Sequence, residues 1–106
     1  MVFVVIAQDG RDEGAVPRRM ATRPRHMQRI MPCAERGELL AGIALLNEPG
    51  GRMVGSVMVL DLPDEEAVRA WLAADPYAEA GVWQDITILP GRVAPLPYRP
   101  LGQAAA

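Results

Sequence analysis

The chain reads as an α+β domain of the β-α-β-β-α-β, ferredoxin-like kind: an antiparallel sheet with two helices on one face. Three observations point there. Short apolar runs of strand length sit at Val2–Ala7, Leu39–Leu46, Val54–Leu60 and Val82–Leu89. Segments with helical spacing separate the first run from the second and the third from the fourth. The second and third runs are joined by a Pro49-Gly50-Gly51 turn, which makes them a hairpin. Split βαβ units with right-handed crossovers then put both helices on the same side.

The elements follow in order. Val2–Ala7 is β-branched and reads as a buried strand, and Asp9–Ala15, with Gly10 and Gly14 among charges, reads as a loop. Pro17 can open a helix, but Pro24 marks a second boundary at Thr22–Arg23, so the firm helix is expected from Pro24 to Arg36. Its apolar stripe is Met27, Ile30, Met31 and Ala34. Pro32 removes one bond inside it and should kink it, and Gly37 caps its C-terminus. Asp64 should cap the second helix, with Glu65 and Glu66 in its first turn, where negative charge suits the helix dipole. The inward stripe of that helix is Ala67, Val68, Trp71 and Leu72, with Trp71 a core residue. Asp75-Pro76-Tyr77 breaks it near Ala74. The Asp75 carboxylate at that corner has two uses, capping the next turn or facing a pocket. The last strand places Val82, Ile86 and Ile88 on one face.

Composition limits function. At 106 residues the chain is one domain, and with half of those residues hydrophobic it can bury a core. Residues 1–93 form the domain; residues 94–106, with Pro95, Pro97, Pro100 and a closing Gln103-Ala104-Ala105-Ala106, form an irregular tail. A formal net charge of -2 argues against a general nucleic-acid binder. Met1–Ala7 is too short for a membrane span and lacks the basic flank of a signal peptide. The single cysteine, Cys33, forms no internal disulfide, which suits a reducing cytoplasm. In Val2–Ala7 and Leu39–Leu46 both alternating faces are apolar. The sheet face away from the helices would therefore be an exposed apolar patch, and a second copy packed sheet to sheet would cover it. A homodimer is expected.

Arg23-Pro24-Arg25-His26, Gly37 with Leu39-Leu40-Ala41-Gly42, Gly55-Ser56, and Trp71 followed by Asp75-Pro76-Tyr77 and Ala80-Gly81-Val82 together resemble the YciI-like (YCII-related) family over residues 2 to 93. The resemblance implies a ferredoxin-like fold of the dimeric α+β barrel superfamily. It also implies a His and an Asp facing one pocket as a catalytic pair, which fall here on His26 and Asp75. One branch of the family is a dehydrochlorinase of chlorinated hydroxyhydroquinones. Departures are Ala41-Gly42-Ile43 where the family often has proline third, Pro32 in the first helix, the short Asn47–Arg52 loop and the long tail.

His26 is the only histidine, and histidine titrates close enough to neutrality to move protons in both directions. A carboxylate on one ring nitrogen sets the tautomer and stabilises the imidazolium, the role assigned to Asp75. Substrate contacts fall on Arg23 for an anionic or phenolate oxygen, on Ser56 for orientation, and on Tyr77 for stacking or a hydrogen bond. No metal site is expected, because one Cys and one His fall short of the about four ligands of a zinc centre. No nucleotide-binding glycine motif is found, so no cofactor is expected. The expected function is a cofactor-independent lyase, isomerase or hydrolase of a small aromatic or anionic molecule. Alternatives are a binding or regulatory module using the same pocket, and an interaction protein using the basic first helix. The stretch between Gly14 and Ala34 has five arginines and no acid and reads as a solvated basic helix face, whereas the interaction reading would require Arg18 and Arg19 for partner binding.

Overall fold

Period-2 packing decides which side of the sheet is covered. Phe3, Val5 and Ala7 of strand β1 (Val2–Asp9) are buried, while Val2, Val4 and Ile6 between them are only partly so. In the computed structural model, which describes residues 1–102, β1 is followed by α1 (Ala15–Glu35), β2 (Leu39–Leu46), β3 (Met53–Asp61), α2 (Glu65–Ala73), α3 (Pro76–Glu79) and β4 (Trp83–Gly91). The four strands form one antiparallel sheet in the order β2-β3-β1-β4. The ferredoxin-like pattern holds, with one added helical turn. Phe3, Val5, Ala7, Met58 and Leu60 of the sheet share a core with Cys33 of α1, Val68, Trp71 and Leu72 of α2, and Tyr77 of α3. The helices therefore lie on one face.

The other face is apolar and carries no helix among the described residues. Val4 pairs with Val59 and Leu89, Ile6 with Val57, and Val57 in turn with Ile43. Ile43 and Leu89 are 54% and 48% exposed.

Helix α1 corrects two expectations. It starts at Ala15 rather than Pro24 and runs through Pro24 and Pro32. Pro17 lies in its first turn, where a missing N–H costs nothing. Pro24 removes one bond, and this is offset by what the helix buries on both sides of it: Arg19 and Thr22 before, His26 and Cys33 after. The expected stripe of Met27, Ile30, Met31 and Ala34 is not the buried one, since Met31 is 61% exposed. The buried positions are Ala15, Arg19, Thr22, His26 and Cys33. Their spacing is helical but most are polar, so hydropathy gives no signal for them. The helix ends at Gly37, with φ +82, where Glu38 N–H bonds the Cys33 carbonyl and Gly37 N–H that of Ala34.

The break after α2 is itself structured. Asp64 caps α2, its carboxylate accepting from Ala67 N–H at 2.8 Å. In α3, Asp75 is the N-cap and Pro76 the first helical residue. Gly81, φ +73, closes it: Val82 N–H bonds the Tyr77 carbonyl and Gly81 N–H the Ala78 carbonyl. Val82 therefore lies before β4 rather than in it. The β1–β4 register shifts between Gln8 and Asp9, where Asp9 faces Trp83, so Trp83 takes the buried position expected for strand residues of even number.

Residues 92–102 form no regular element and are exposed; the expected tail extends over 103–106, which lie outside the described residues. Truncation after Val93 should leave the melting temperature within a few degrees in a thermal scan. A drop of ten degrees or more would show that the tail packs on something.

Candidate functional site

Two buried carboxylates, one from each half of the chain, organise the helix-covered side of the sheet. Asp9, at the end of β1, accepts from Nη1 of Arg19 with both oxygens, at 3.1 and 3.0 Å. Nη2 of Arg19 donates to Ser56 Oγ at 3.0 Å, and Trp83 Nε1 donates to the same oxygen at 3.2 Å. Asp75 is 0% exposed. Its Oδ1 lies 2.8 Å from His26 Nδ1 and accepts from Tyr77 N–H at 2.9 Å. Its Oδ2 accepts from Arg29 at 3.0 Å, and the same guanidinium bonds the Trp71 carbonyl at 2.7 Å. Arg29 also stacks on Trp71, 4.1 Å from the ring centre.

Tyr77 joins the two clusters. Its ring stacks on His26 at 3.9 Å with an interplanar angle of 16°, and the Arg19 guanidinium lies 4.7 Å from its centre. Trp83 meets both rings edge-on. Arg19 and His26 are two turns apart on one face of α1, so a single helix supplies both partners of that ring.

Arg19, His26, Ser56 and Tyr77 border a cavity of about 160 Å³, with Arg23 also on its lining and Met27 and Ile30 among its apolar walls. With Nδ1 held by Asp75, Nε2 is the ring nitrogen left without a hydrogen bond among the described residues. A larger, more open hollow of about 480 Å³ lies between residues 8–16 and the ends of β2 and β3. It contains no histidine, and both its acids are paired, Asp9 with Arg19 and Asp12 with Arg18. The smaller cavity is the chemically equipped one. No group of three or more His, Cys, Asp or Glu is placed to hold a metal among the described residues.

Burial pushes the Asp9 carboxyl above its ordinary value, while its hydrogen bonds with Arg19 pull it down. Burial also pushes the Tyr77 phenol up, so it remains a protonated donor at neutral pH.

His26, Asp75, Ser56, Tyr77 and Arg23, all proposed from sequence, come together here, with Asp75 behind His26 rather than on the cavity wall. The two uses weighed for Asp75 coexist, since one oxygen both caps α3 and meets His26. Asp75 is fully buried at this corner, and His26 and Arg29 occupy its carboxylate. Ser56 lies within β3 and accepts two N–H donors. Arg23 makes no ion pair among the described residues. The solvated basic face is corrected as well. Arg18 pairs with Asp12, Arg19 with Asp9 and Arg29 with Asp75, so three of the five arginines answer acids on other segments.

Sequence reasoning missed Asp9, Arg19, Arg29 and Trp83. A usable signal existed for three of them. Arg19 and Arg29 stand seven before and three after His26, on its helical face, and Asp9 continues the inward parity of Val5 and Ala7.

Fold and site together define an α+β domain with a buried, carboxylate-backed histidine at a small cavity. The chain belongs to the YCII-related domain family, which it matches over residues 1–92. Protein YciI of Escherichia coli O6:H1 is 33% identical over 95 residues, spanning 85% of this chain and 95% of that protein. An Emericella nidulans protein, derivative of benzaldehyde biosynthesis cluster protein C, is 38% identical over 69 residues, 59% of this chain and 70% of that one. Among solved structures, the 5-chloro-2-hydroxyhydroquinone dehydrochlorinase of Burkholderia phenoliruptrix, in complex with 2,5-dihydroxybenzoquinone, superposes with a TM-score of 0.78 at 18% identity. The match covers 89% of this chain and 96% of that one, a likeness of fold.

Asp75→Ala removes the α3 cap and leaves Arg29 without its carboxylate. The expected cost is about 3 kcal/mol, or a fall of more than about 10 °C in melting temperature. Circular dichroism melts check this, and an unchanged melt would mean the corner is held by packing alone.

Proposed function

We propose that the cavity is a proton-transfer site for a small molecule. The observation that carries this is the 2.8 Å contact between His26 Nδ1 and Asp75 Oδ1, behind a ring that borders the cavity. The carboxylate accepts a hydrogen bond from Nδ1–H, so the lone pair on Nε2 is free to take a proton from a ligand. The imidazolium that results is stabilised by the same carboxylate, which Arg29 and Tyr77 N–H hold from turning away. His26 is the acid/base and Asp75 its positioning residue. Arg23, Ser56 and Tyr77 hold the substrate. The reaction class is lyase, isomerase or hydrolase chemistry that needs no cofactor, on a small aromatic or anionic compound. A neighbour on the same fold that is a dehydrochlorinase supports an elimination that begins with proton removal. No helix among the described residues is long and apolar enough to cross a membrane, and we place the protein in the cytoplasm on its one unpaired cysteine.

We also propose a homodimer through the helix-free sheet face. Its centre, from Val4 and Ile6 to Val57 and Val59, is continuous and apolar. Light scattering at micromolar concentration should give about twice the chain mass of 11.5 kDa. A monodisperse monomer removes the dimer.

The acid/base reading requires the Nδ1–H tautomer, whereas a binding module does not. With one histidine in the chain, two-bond 1H–15N spectra at neutral pH report it without ambiguity. Nε2 should resonate as the unprotonated nitrogen. A protonated Nε2 in a neutral ring would sink the role of His26 as base.

A further inference from the structure

The same cavity carries a second, separate pattern: an excess of hydrogen-bond donors with nothing to receive them. Tyr77 Oη and Arg19 Nε are buried and have no hydrogen-bond partner among the described residues. Both residues border the cavity. Ser56 is a third case. A serine hydroxyl has two acceptor sites and one proton. Its oxygen already receives N–H donors from Arg19 and Trp83, so the proton is what it has left to offer. Against these donors the side chains at the cavity supply one acceptor, His26 Nε2.

Charge points the same way. The positive charge of Arg19 is answered by Asp9 at 3.0 Å, but Arg23, also on the cavity, pairs with no acid among the described residues. Water suits such a place poorly, because each water that accepts must also donate. A buried donor left unpaired is costly enough that native proteins rarely keep one without a use. The remaining wall, with Met27, Ile30, Leu39 and Met58, is apolar.

We infer that this cavity binds a small organic anion by its charged oxygen, gripped by the Tyr77 and Ser56 hydroxyls and Arg19 Nε, with Arg23 as counter-charge and the carbon skeleton against the methionines. Arg19 thus becomes a specificity residue, held in place by Asp9. The inference rests on the proposal that the cavity takes a ligand. It is independent of whether His26 moves a proton.

Benzoate and its neutral isostere benzamide are suitable probes, titrated by calorimetry and followed by amide chemical shifts. Benzoate should bind at least about tenfold more tightly, with shifts at residues 19, 56 and 77. Tyr77→Phe should weaken benzoate about tenfold, the scale of a hydrogen bond to a charged group, and leave benzamide within about twofold. It should melt no lower than wild type, since it deletes only an unpartnered hydroxyl. Ser56→Ala is the second variant and should discriminate in the same direction. Equal affinity for the two probes, or unchanged benzoate binding in both variants, overturns the inference. So does the absence of binding by either probe, which would leave the donors to buried water. The histidine tautomer is read without any ligand, so the two proposals fail separately.

Discussion

The carboxylate of Asp75 is the constraint on which the rest of the site depends. It is carried into the interior at the only point where α2 has ended and α3 has not begun, so its oxygens are free to serve three partners. One is the backbone of the turn it caps, one is His26 and one is Arg29. Removing a carboxylate from water costs several kcal/mol. That cost is acceptable only where the lone pairs are taken up, and here they are. The consequence is positional. His26 lies 49 residues away in sequence, and its ring is fixed by the same group that fixes the Asp75–Val82 segment.

The Asp75–Val82 segment shows why part of the site was legible. Asp-Pro at one end and Ala-Gly-Val at the other are a helix start and a helix stop four residues apart, and each residue type is dictated by backbone geometry. A short capped turn of this kind cannot slide, so its Tyr77 is presented at one place. Helix α1 shows the opposite case. Its buried face is Arg19, Thr22, His26 and Cys33, and a reading based on apolar spacing finds Met27, Ile30 and Met31 instead. Those side chains were not misplaced at random. Met27 and Ile30 border the cavity, which is what an apolar stripe next to a polar site becomes. The strands and α2 were legible because their buried residues are apolar. The function-bearing face of α1 was not, because its burial is maintained by ion pairs with Asp9 and Asp75, which a search for apolar periodicity passes over.

Buried ion pairs are weak contributors to stability, since desolvation consumes most of the attraction. The Asp9–Arg19 and Asp75–Arg29 pairs are therefore better understood as placing groups than as holding the domain together. The apolar cluster from Phe3 to Trp83 does that. What the pairs place is consistent. Arg19 presses on Tyr77 and bonds Ser56, Arg29 steadies Asp75, and both leave the cavity side of His26 open.

Strand β3 then links the site to the outer face of the sheet. Ser56 points to the helices, while its neighbour Val57 pairs with Ile6 and Ile43 on the bare side. Gly55, one residue earlier, allows the strands to approach: a Cβ there would lie 2.6 Å from the Ala7 carbonyl oxygen. A register slip of one residue in β3 would move Ser56 out of the cavity and put Gly55 or Val57 in its place, neither with a hydroxyl for Arg19. Whatever covers the Val57–Val59 face therefore also guards that register. The proposed dimer and the proposed anion grip are thus connected through one strand, although they lie on opposite sides of the sheet.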